Sequence, residues 1–221
     1  MSGTVIVTGG LGALGRAVVA GLAERGHRVA AVDIAPGAEL AGAALVKGDV
    51  DLADEAAVER AYAGIAESLG GISGLVNIAG GFVWTPVEGG DLAHWDRMYR
   101  MNLRTAAVSC RAAIGLFPRA GGAIVNIGAA AAASPGMGMA PYAASKAGVR
   151  ALTESLADEL KGRAIRVNAI LPTIIDTPTN RRDMPEADWS AWTSPAAIAA
   201  VVAFLLSDDA ASISGAAIPV R

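Results

Sequence analysis

The chain has 221 residues, of which 53% are hydrophobic and 18% are charged, and its formal net charge is −3. That length suits one domain with a large buried core. A weakly negative chain is unlike nucleic-acid-binding proteins, whose affinity depends on clustered lysine and arginine. Cys110 is the single cysteine, which excludes an intrachain disulfide, and two histidines are too few for a zinc site. No metal site is expected.

The beginning of the chain lacks the basic opening of a secretory signal. Residues 120–145 carry no charge and are long enough to span a membrane, but an asparagine, two prolines and several glycines interrupt them. We interpret this stretch as a buried strand followed by a loop. The expected protein is cytoplasmic, with a small-molecule substrate and no nucleic-acid or membrane partner.

In chain order, short β-branched runs alternate with alanine-rich segments of helical period. The predicted strands are TVIVT, RVAAVDI, AALVKGD, SGLVNIAG, GAIVNIG, AIRVNAIL and GAAIPV. The predicted helices follow the first strand up to Gly26 and then cover 54–69, 95–116, 142–160 and 195–206. This alternation predicts a single doubly wound α/β domain over residues 1–221, with a mostly parallel sheet of about seven strands and helices on both faces.

A glycine-rich segment, GLGALG, follows the first predicted strand, with Gly10, Gly12 and Gly15 in GxGxxG spacing. Glycines here let backbone N–H groups approach a pyrophosphate at a helix N-terminus, where the helix dipole favours negative charge. Asp33 ends the second predicted strand, where a carboxylate can accept hydrogen bonds from both ribose hydroxyls. It would repel a 2′-phosphate, so NAD(H) is favoured over NADP(H). The alternative is a glycine turn with an unrelated acid.

Tyr142 and Lys146 in YAASK are four residues apart near the start of a predicted helix, so they share one face. A phenol with an ordinary pKa of about 10 is a poor acid–base group at neutral pH. A nearby ammonium and the positive nicotinamide of an oxidised cofactor would lower the pKa of Tyr142. Spacing alone favours an ordinary surface pair, whereas the predicted dinucleotide site on the same sheet favours catalysis.

Together these motifs resemble the short-chain dehydrogenase/reductase family over nearly the whole chain, which implies a Rossmann-like fold and an oxidoreductase. The resemblance implies cofactor contacts along TGGLGALG, although Ala13 occupies a usual glycine position. It also implies that an acid-plus-apolar pair contacts adenine, that NIAG borders the cofactor and that the segment after the sixth strand holds the carboxamide. The implied residues are Gly9, Gly12, Ala13, Leu14, Gly15, Asp49, Val50, Ala79, Gly80, Pro172 and Thr177.

The resemblance further implies the catalytic roles. Tyr142 would be the general acid/base, Lys146 its partner and a ligand of the nicotinamide ribose, and Asn102 the anchor of a water in the proton relay. The family's catalytic serine lies 13 residues before the tyrosine, where this chain has Ala129. Losing one preorganised donor costs roughly 10²–10³ in rate where the substrate develops an oxyanion. Either the substrate needs no such donor, or the protein no longer performs this chemistry.

Residues 171–195 resemble the corresponding segment of dihydropteridine reductases, a branch that keeps the Tyr/Lys pair without the serine. This resemblance implies a planar, quinonoid substrate that accepts hydride without a ketone-like oxyanion. Trp189 and Trp192 are expected to pack a flap over the cofactor, with Trp192 and Trp84 walling the substrate pocket. The alternative is that these tryptophans only fill gaps beneath loops.

The main prediction is an NADH-dependent reductase of a planar conjugated acceptor. The alternative among enzymes is a general ketone or alcohol oxidoreductase, and the alternative of another class is a non-catalytic dinucleotide-binding sensor or scaffold. A homodimer or homotetramer is expected, because members of the family commonly pair the helix that follows the tyrosine. That helix carries an apolar stripe, Val149, Leu152, Leu156 and Leu160, which alternatively faces only its own sheet.

Overall fold

The computed structural model describes residues 3–221, in which seven strands form one parallel sheet. The strands are β1 Thr4–Thr8, β2 Arg28–Val32, β3 Ala43–Lys47, β4 Gly74–Asn77, β5 Gly122–Ile127, β6 Ile165–Pro172 and β7 Ala217–Val220. Their order is β3-β2-β1-β4-β5-β6-β7, and all neighbours are parallel. The predicted doubly wound α/β fold is confirmed.

Helices cover both faces of the sheet and enclose two hydrophobic cores. They are α1 Ala13–Ala23, α2 Glu55–Leu69, α3 Ala93–Met98, α4 Thr105–Ile114, α5 Ala140–Leu160, α6 Pro178–Asp183 and α7 Pro195–Leu206. Side chains of α1 and α7 fill the core on one face, and those of α2, α4 and α5 fill the core on the other. Because both faces are covered, the strands are continuous apolar runs and not alternating ones.

The strand order reverses at β1: β2 and β3 lie on one side of it, and β4 to β7 lie on the other. In open α/β sheets such a reversal leaves a crevice beyond the carboxyl ends of the strands, where ligands bind. Residues that follow β1, β2, β4 and β5 line one cleft at this edge: Gly9, Asp33, Ile78 and Gly128. The fold therefore gathers the motif-bearing loops at one place.

The helix expected at 95–116 is interrupted. α3 ends at Met98, residues Tyr99–Arg104 form a π-helix, and α4 begins at Thr105. A π-helix changes the angular position of every residue that follows it, and such segments are frequent at functional sites. Asn102 lies inside this segment.

The apolar stripe on α5 faces the protein's own interior. Val149, Leu156 and Leu160 are at most 8% exposed, and the half-buried Leu152 packs with the last two in the core beneath α2 and α4. The stripe therefore gives no support for a subunit interface, because its side chains are already covered within one chain.

The uncharged stretch 120–145 forms β5, a loop and the first turns of α5. No helix within residues 3–221 is both long enough and apolar enough to cross a membrane.

Candidate active site

The glycine loop between β1 and α1 forms one wall of the cleft. Gly9 has a φ of +65°, which strongly favours glycine. A Cβ at Gly15 would overlap the carbonyl oxygen of Gly9, so α1 packs tightly beneath the loop. Gly12 precedes α1 without a capping side chain, which leaves the first N–H groups of the helix open to an anion. Gly12, Ala13, Leu14 and Gly15 all line the cleft.

Asp33 follows β2 and lies on the cleft wall beside this loop. Its two carboxylate oxygens accept hydrogen bonds from the backbone N–H groups of Leu11 and Ala35, each at 3.0 Å. These bonds fix the position of the carboxylate. Ile34 and Ala35 also line the cleft here, and neither side chain brings a positive charge.

The acid-plus-apolar pair on the cleft wall differs from the one predicted. Asp49 is exposed with a φ of +58°, and Val50 is 8% exposed within the core, so neither lines the cleft. Asp51 and Leu52 line it instead. Two such pairs follow each other in the sequence, and the start of α2, capped by Asp54, brings the second one to the cleft. The cleft wall therefore favours Asp51 and Leu52 over Asp49 and Val50 as the pair beside the adenine.

Asp51 is held in place from two sides. Its Oδ1 accepts a hydrogen bond from the backbone N–H of Ala53 at 2.9 Å, and its Oδ2 pairs with the Arg100 guanidinium at 2.6 Å. Arg100 belongs to the π-helix and also lines the cleft. This ion pair joins the loop after β3 to the helix after β4.

Tyr142 and Lys146 lie on the first turns of α5, and both line the cleft. Lys146 is 5% exposed, and its Nζ donates a hydrogen bond to the carbonyl oxygen of Ile127 at 2.8 Å. Burial lowers the pKa of Lys146 to about 8. Burial also raises the pKa of Tyr142 to about 12.

The expected lowering of the Tyr142 pKa is not found in the protein alone. Desolvation favours the uncharged form of both groups, so it moves the pKa of the phenol up and that of the ammonium down. Helical spacing indicates the attraction between the two charges, but it does not reveal how deeply both side chains are buried. A phenolate at this place needs more positive charge than Lys146 alone supplies.

Asn102 is buried behind the cleft wall and joins two parts of the site. Its Oδ1 accepts a hydrogen bond from the N–H of Gly81 at 2.9 Å, and its Nδ2 donates to the Gly81 carbonyl at 3.1 Å. Nδ2 also donates to Ser145 Oγ at 3.0 Å, and Ser145 donates to the carbonyl oxygen of Tyr142 at 2.7 Å. The side chain thus fastens the loop after β4 to the helix that carries Tyr142.

The place of the family's serine carries a methyl group. Ala129 is 5% exposed and directly follows Ile127 and Gly128, which line the cleft. Residues Ala130–Ala132 form a 3₁₀ turn beyond it. Ser134 is exposed and is not part of the cleft wall, so it does not replace the missing hydroxyl.

The segment after β6 covers the cleft from the opposite side. Ile175 and Thr177 line it, whereas Pro172 is buried at the end of β6 and lies off the wall. The Thr177 hydroxyl accepts a hydrogen bond from the N–H of Asn180 at 3.2 Å and so caps α6. Ala79 and Gly80 after β4 also line the cleft.

The tryptophans are placed only partly as predicted. Trp84 and Trp192 do not line the cleft. Trp189 packs against Trp192 with the ring centroids 6.3 Å apart. The Arg181 guanidinium lies 4.7 Å from the centre of the Trp189 ring. The indole N–H of Trp189 donates to the carbonyl oxygen of Met184 at 3.1 Å. Trp189 and Trp192 therefore pack the flap, which is the role expected for them, whereas Trp192 and Trp84 lie off the cleft wall where the substrate was expected.

An aromatic residue that the sequence reasoning missed takes the place expected for Trp84. Phe82 lines the cleft, and its ring lies edge-to-face against Tyr142 with the centroids 5.1 Å apart. Its position two residues after the NIAG motif was the available signal. The more conspicuous tryptophan at position 84 was chosen instead.

The whole cleft has a volume of about 810 Å³. This is near the upper end of small-molecule and cofactor sites. The glycine loop, the free N-terminus of α1 and the fixed Asp33 carboxylate fit the pyrophosphate and ribose of a dinucleotide, with Tyr142 and Lys146 in the same cleft. Among residues 3–221 there is no group of three or more acidic, histidine or cysteine side chains placed to hold a metal ion.

Comparisons with known proteins agree with this geometry. The family model for short chain dehydrogenases matches residues 3–188. The D-threitol dehydrogenase of Mycolicibacterium smegmatis is 38% identical, with 96% of this chain and 88% of that protein aligned. The crystal structure of levodione reductase is 30% identical, covers 99% of this chain and 95% of its own, and has a TM-score of 0.87.

NAD⁺-bound xylitol dehydrogenase is 26% identical over 98% of this chain and 96% of its own, also with a TM-score of 0.87. Matches of this extent cover the fold, the glycine loop and the Tyr/Lys helix together. The chain belongs to the short-chain dehydrogenase/reductase family of oxidoreductases.

Proposed function

We propose that the protein is an NAD(H)-dependent oxidoreductase that interconverts a carbonyl compound and an alcohol, with Tyr142 as the proton donor and acceptor. The observation that carries the proposal is the single cleft that contains the glycine loop, Asp33, Tyr142 and Lys146. When bound, the nicotinamide cofactor supplies or accepts the hydride.

Tyr142 handles the proton of the reaction. In the direction of reduction its hydroxyl gives a proton to the substrate oxygen as that oxygen gains negative charge. In the direction of oxidation the phenolate takes the proton back. Because burial holds the pKa of Tyr142 near 12, the protein alone keeps the phenol protonated and ready for reduction.

Lys146 is placed to bind the ribose next to the nicotinamide and to add positive charge beside Tyr142. Its hydrogen bond to Ile127 fixes the ammonium at the carboxyl end of β5. Asn102 fixes the position of Tyr142 relative to Gly81, because its amide forms hydrogen bonds to both Gly81 and Ser145.

The preference for NAD(H) over NADP(H) rests on Asp33. A carboxylate fixed by two backbone N–H groups cannot turn away from the ribose, and it would repel a 2′-phosphate. Ile34 and Ala35, which line the cleft beside it, offer that phosphate no positive charge.

A planar quinonoid acceptor is the second candidate, and Ala129 favours it because such a substrate needs no serine hydroxyl. The names of the relatives favour the first candidate: they act, by name, on threitol, levodione and xylitol, and none is named for a pteridine. We therefore place the carbonyl–alcohol function first.

The decisive experiment compares the wild-type protein with Tyr142→Phe. The expected result is at least a 10²-fold loss of kcat, with NADH affinity changed less than about threefold, because only the transferable proton is removed. NADH binding is measured by calorimetry, and turnover by NADH absorbance with ketones and quinonoid pterins. Tight NADH binding without turnover of any carbonyl or quinonoid compound by the wild type would support the sensor alternative.

A further inference from the structure

An exposed apolar rim lies at the catalytic end of the cleft. Phe82, Trp84 and Met137 are 52%, 54% and 82% exposed. Large apolar side chains clustered on a surface commonly mark a site where a ligand or partner binds. Phe82 connects this rim to the reaction centre, because it lines the cleft and touches Tyr142.

Trp84 clamps the rim onto the chain segment that leads into α5. Its indole N–H donates to the carbonyl oxygen of Met137 at 3.0 Å, and the N–H of Thr85 donates to the carbonyl oxygen of Gly138 at 2.9 Å. A Cβ at Gly138 would overlap the Trp84 ring, so the glycine lets the indole approach the backbone closely. Tyr142 follows this segment within one helical turn.

The clamp sets the position of Phe82. The loop after β4 is fastened at Gly81 by Asn102 and at Trp84 by the Met137–Gly138 backbone, and Phe82 lies between these two points. Its ring is held almost perpendicular to the Tyr142 ring, at 88°. The two rings meet edge-to-face. Phe82 is also half exposed, so part of its ring is open to a substrate.

Near Tyr142 the loop after β5 and the ring of Phe82 are apolar, whereas Thr177, Thr179 and Asp183 of the flap bring polar groups to the cleft. The loop after β5 contributes only methyl groups from Ala129 to Ala133. On the flap, the Asn180 amide already donates to the carbonyl oxygen of Ile175 at 2.8 Å.

We propose that Phe82 selects a substrate whose reacting carbon belongs to an apolar ring, a cyclic ketone or the corresponding cyclic alcohol, and that the Trp84 clamp holds Phe82 for this purpose. The hydrocarbon ring packs against Phe82, and Trp84 and Met137 cover its outer part. This inference rests on the proposed carbonyl–alcohol function and adds the substrate class to it.

The test compares 3-methylcyclohexanone with the open-chain ketose erythrulose, in the wild type, Phe82→Ala and Phe204→Ala. Phe204 is a matched control because it is 42% exposed on α7 and does not line the cleft. The wild type should prefer the cyclic ketone in kcat/KM. Phe82→Ala should lose about tenfold more in kcat/KM on the cyclic ketone than on erythrulose, mainly through KM, because any effect of its contact with Tyr142 is common to both substrates. Phe204→Ala should change neither.

A binding measurement makes the test independent of turnover. Calorimetry of 3-methylcyclohexanone with NAD⁺-saturated protein should show binding to the wild type and to Phe204→Ala, and about tenfold weaker binding to Phe82→Ala. Equal affinity of all three proteins, or no affinity in any, overturns the role of Phe82. A preference for erythrulose overturns the ring class but leaves the proposed function intact. Tight ketone binding without turnover contradicts only the proposed function.

The positioning role of the Trp84 clamp is tested by a separate variant. Trp84→Phe keeps an aromatic ring on Gly138 but removes the N–H donor to Met137. The expected result is a rise of about threefold in KM for 3-methylcyclohexanone, with unchanged KM for NADH. A change in thermal stability with unchanged KM would show that Trp84 only packs the loop, and would overturn its positioning role.

Discussion

At the scale of single residues, burial disfavours the charged forms of both Tyr142 and Lys146, although the ammonium of Lys146 still predominates at neutral pH. Lys146 loses its proton near pH 8, whereas an exposed lysine has a pKa of 10.5. In the unfolded chain the ammonium is therefore retained to higher pH than in the folded protein. Stability rises with pH wherever the unfolded state binds more protons. The contribution of Lys146 to the free energy of unfolding should therefore rise as the pH increases from the folded pKa to the unfolded pKa.

The first prediction uses Lys146→Met, which removes this titration. The free energy of unfolding of the wild type relative to the variant should increase by about 2 kcal/mol between about pH 7.5 and about pH 9.5. Urea unfolding of both proteins at both pH values measures it. The comparison with the variant matters because burial raises the pKa of Cys110 to about 12, which lowers stability in the same range in both proteins. A pH-independent difference would contradict the prediction.

The second prediction concerns the acids around the cofactor. Asp51→Asn should raise the KM for NADH about three- to tenfold, because it replaces a carboxylate on the cleft wall that is paired with Arg100. Asp49→Asn is the matched control, and its KM should stay within about twofold of the wild type. Steady-state kinetics with a common carbonyl substrate measure both. A larger rise in the KM for NADH in Asp49→Asn than in Asp51→Asn would restore Asp49 as the acid beside the adenine.

Many of these residues could be predicted from the sequence, because backbone constraints fix them. Gly9 and Gly15 are glycines for steric reasons, and Tyr142 and Lys146 share a face by helical spacing. The sequence alone could not separate Asp49 from Asp51, because two acid-plus-apolar pairs stand in tandem and a shift of two residues leaves the pattern unchanged. Phe82 was missed because which side chain of GGFVW enters the cleft depends on the Trp84 clamp, a contact with residues more than fifty positions away.

At the scale of elements, the flap after β6 is held by its own side chains. Arg181 forms a two-bonded ion pair with Asp176 and stacks on Trp189, and Thr173 and Thr193 share a hydrogen bond at 2.8 Å across the base of the flap. Strand and helix periodicity could not predict this arrangement, because the segment is irregular and its order comes from specific side-chain pairs. The π-helix at 99–104 escaped prediction because its segment, YRMNLR, continues the helical pattern of its neighbours and carries no local signal for an extra residue per turn.

The third prediction tests the stacking of Arg181 on Trp189. In a double-mutant cycle of Arg181→Gln and Trp189→Leu, the coupling energy should be about 0.5–1 kcal/mol in unfolding free energy. Trp189→Leu alone should lower Tm and leave the KM for the carbonyl substrate unchanged, because the ring does not line the cleft. An unchanged Tm together with a raised KM would contradict the packing role of Trp189.

At the scale of the whole molecule, we propose that the protein forms a homodimer or homotetramer through the α3 side. Leu92, Trp95 and Tyr99 are 76%, 36% and 52% exposed there, in contrast to the buried stripe on α5. Apolar side chains exposed along one short segment are typical of an association surface.

The fourth prediction follows from this surface. Light scattering should give a mass that is two or four times the 22.2 kDa of the chain, and Leu92→Glu together with Tyr99→Glu should reduce it. Ser68→Glu, which adds a charge at an exposed position of α2, should not change the mass. A monomeric wild type at micromolar concentration would contradict the proposal.

The interior position of β1 has a consequence for how the protein is made. Parallel neighbours cannot form from a hairpin, so each strand waits for a complete crossover before it can pair. Translation releases β1, β2 and β3 by Lys47, whereas β4, the other neighbour of β1, begins only at Gly74, and α7, which covers α1, comes near the end. Until then the nascent chain presents an open β1 edge and an uncovered face of α1, and unpaired edges of this kind attract other chains. Chaperone capture during synthesis is therefore expected at the unpaired edge of β1, which β4 covers in the finished sheet.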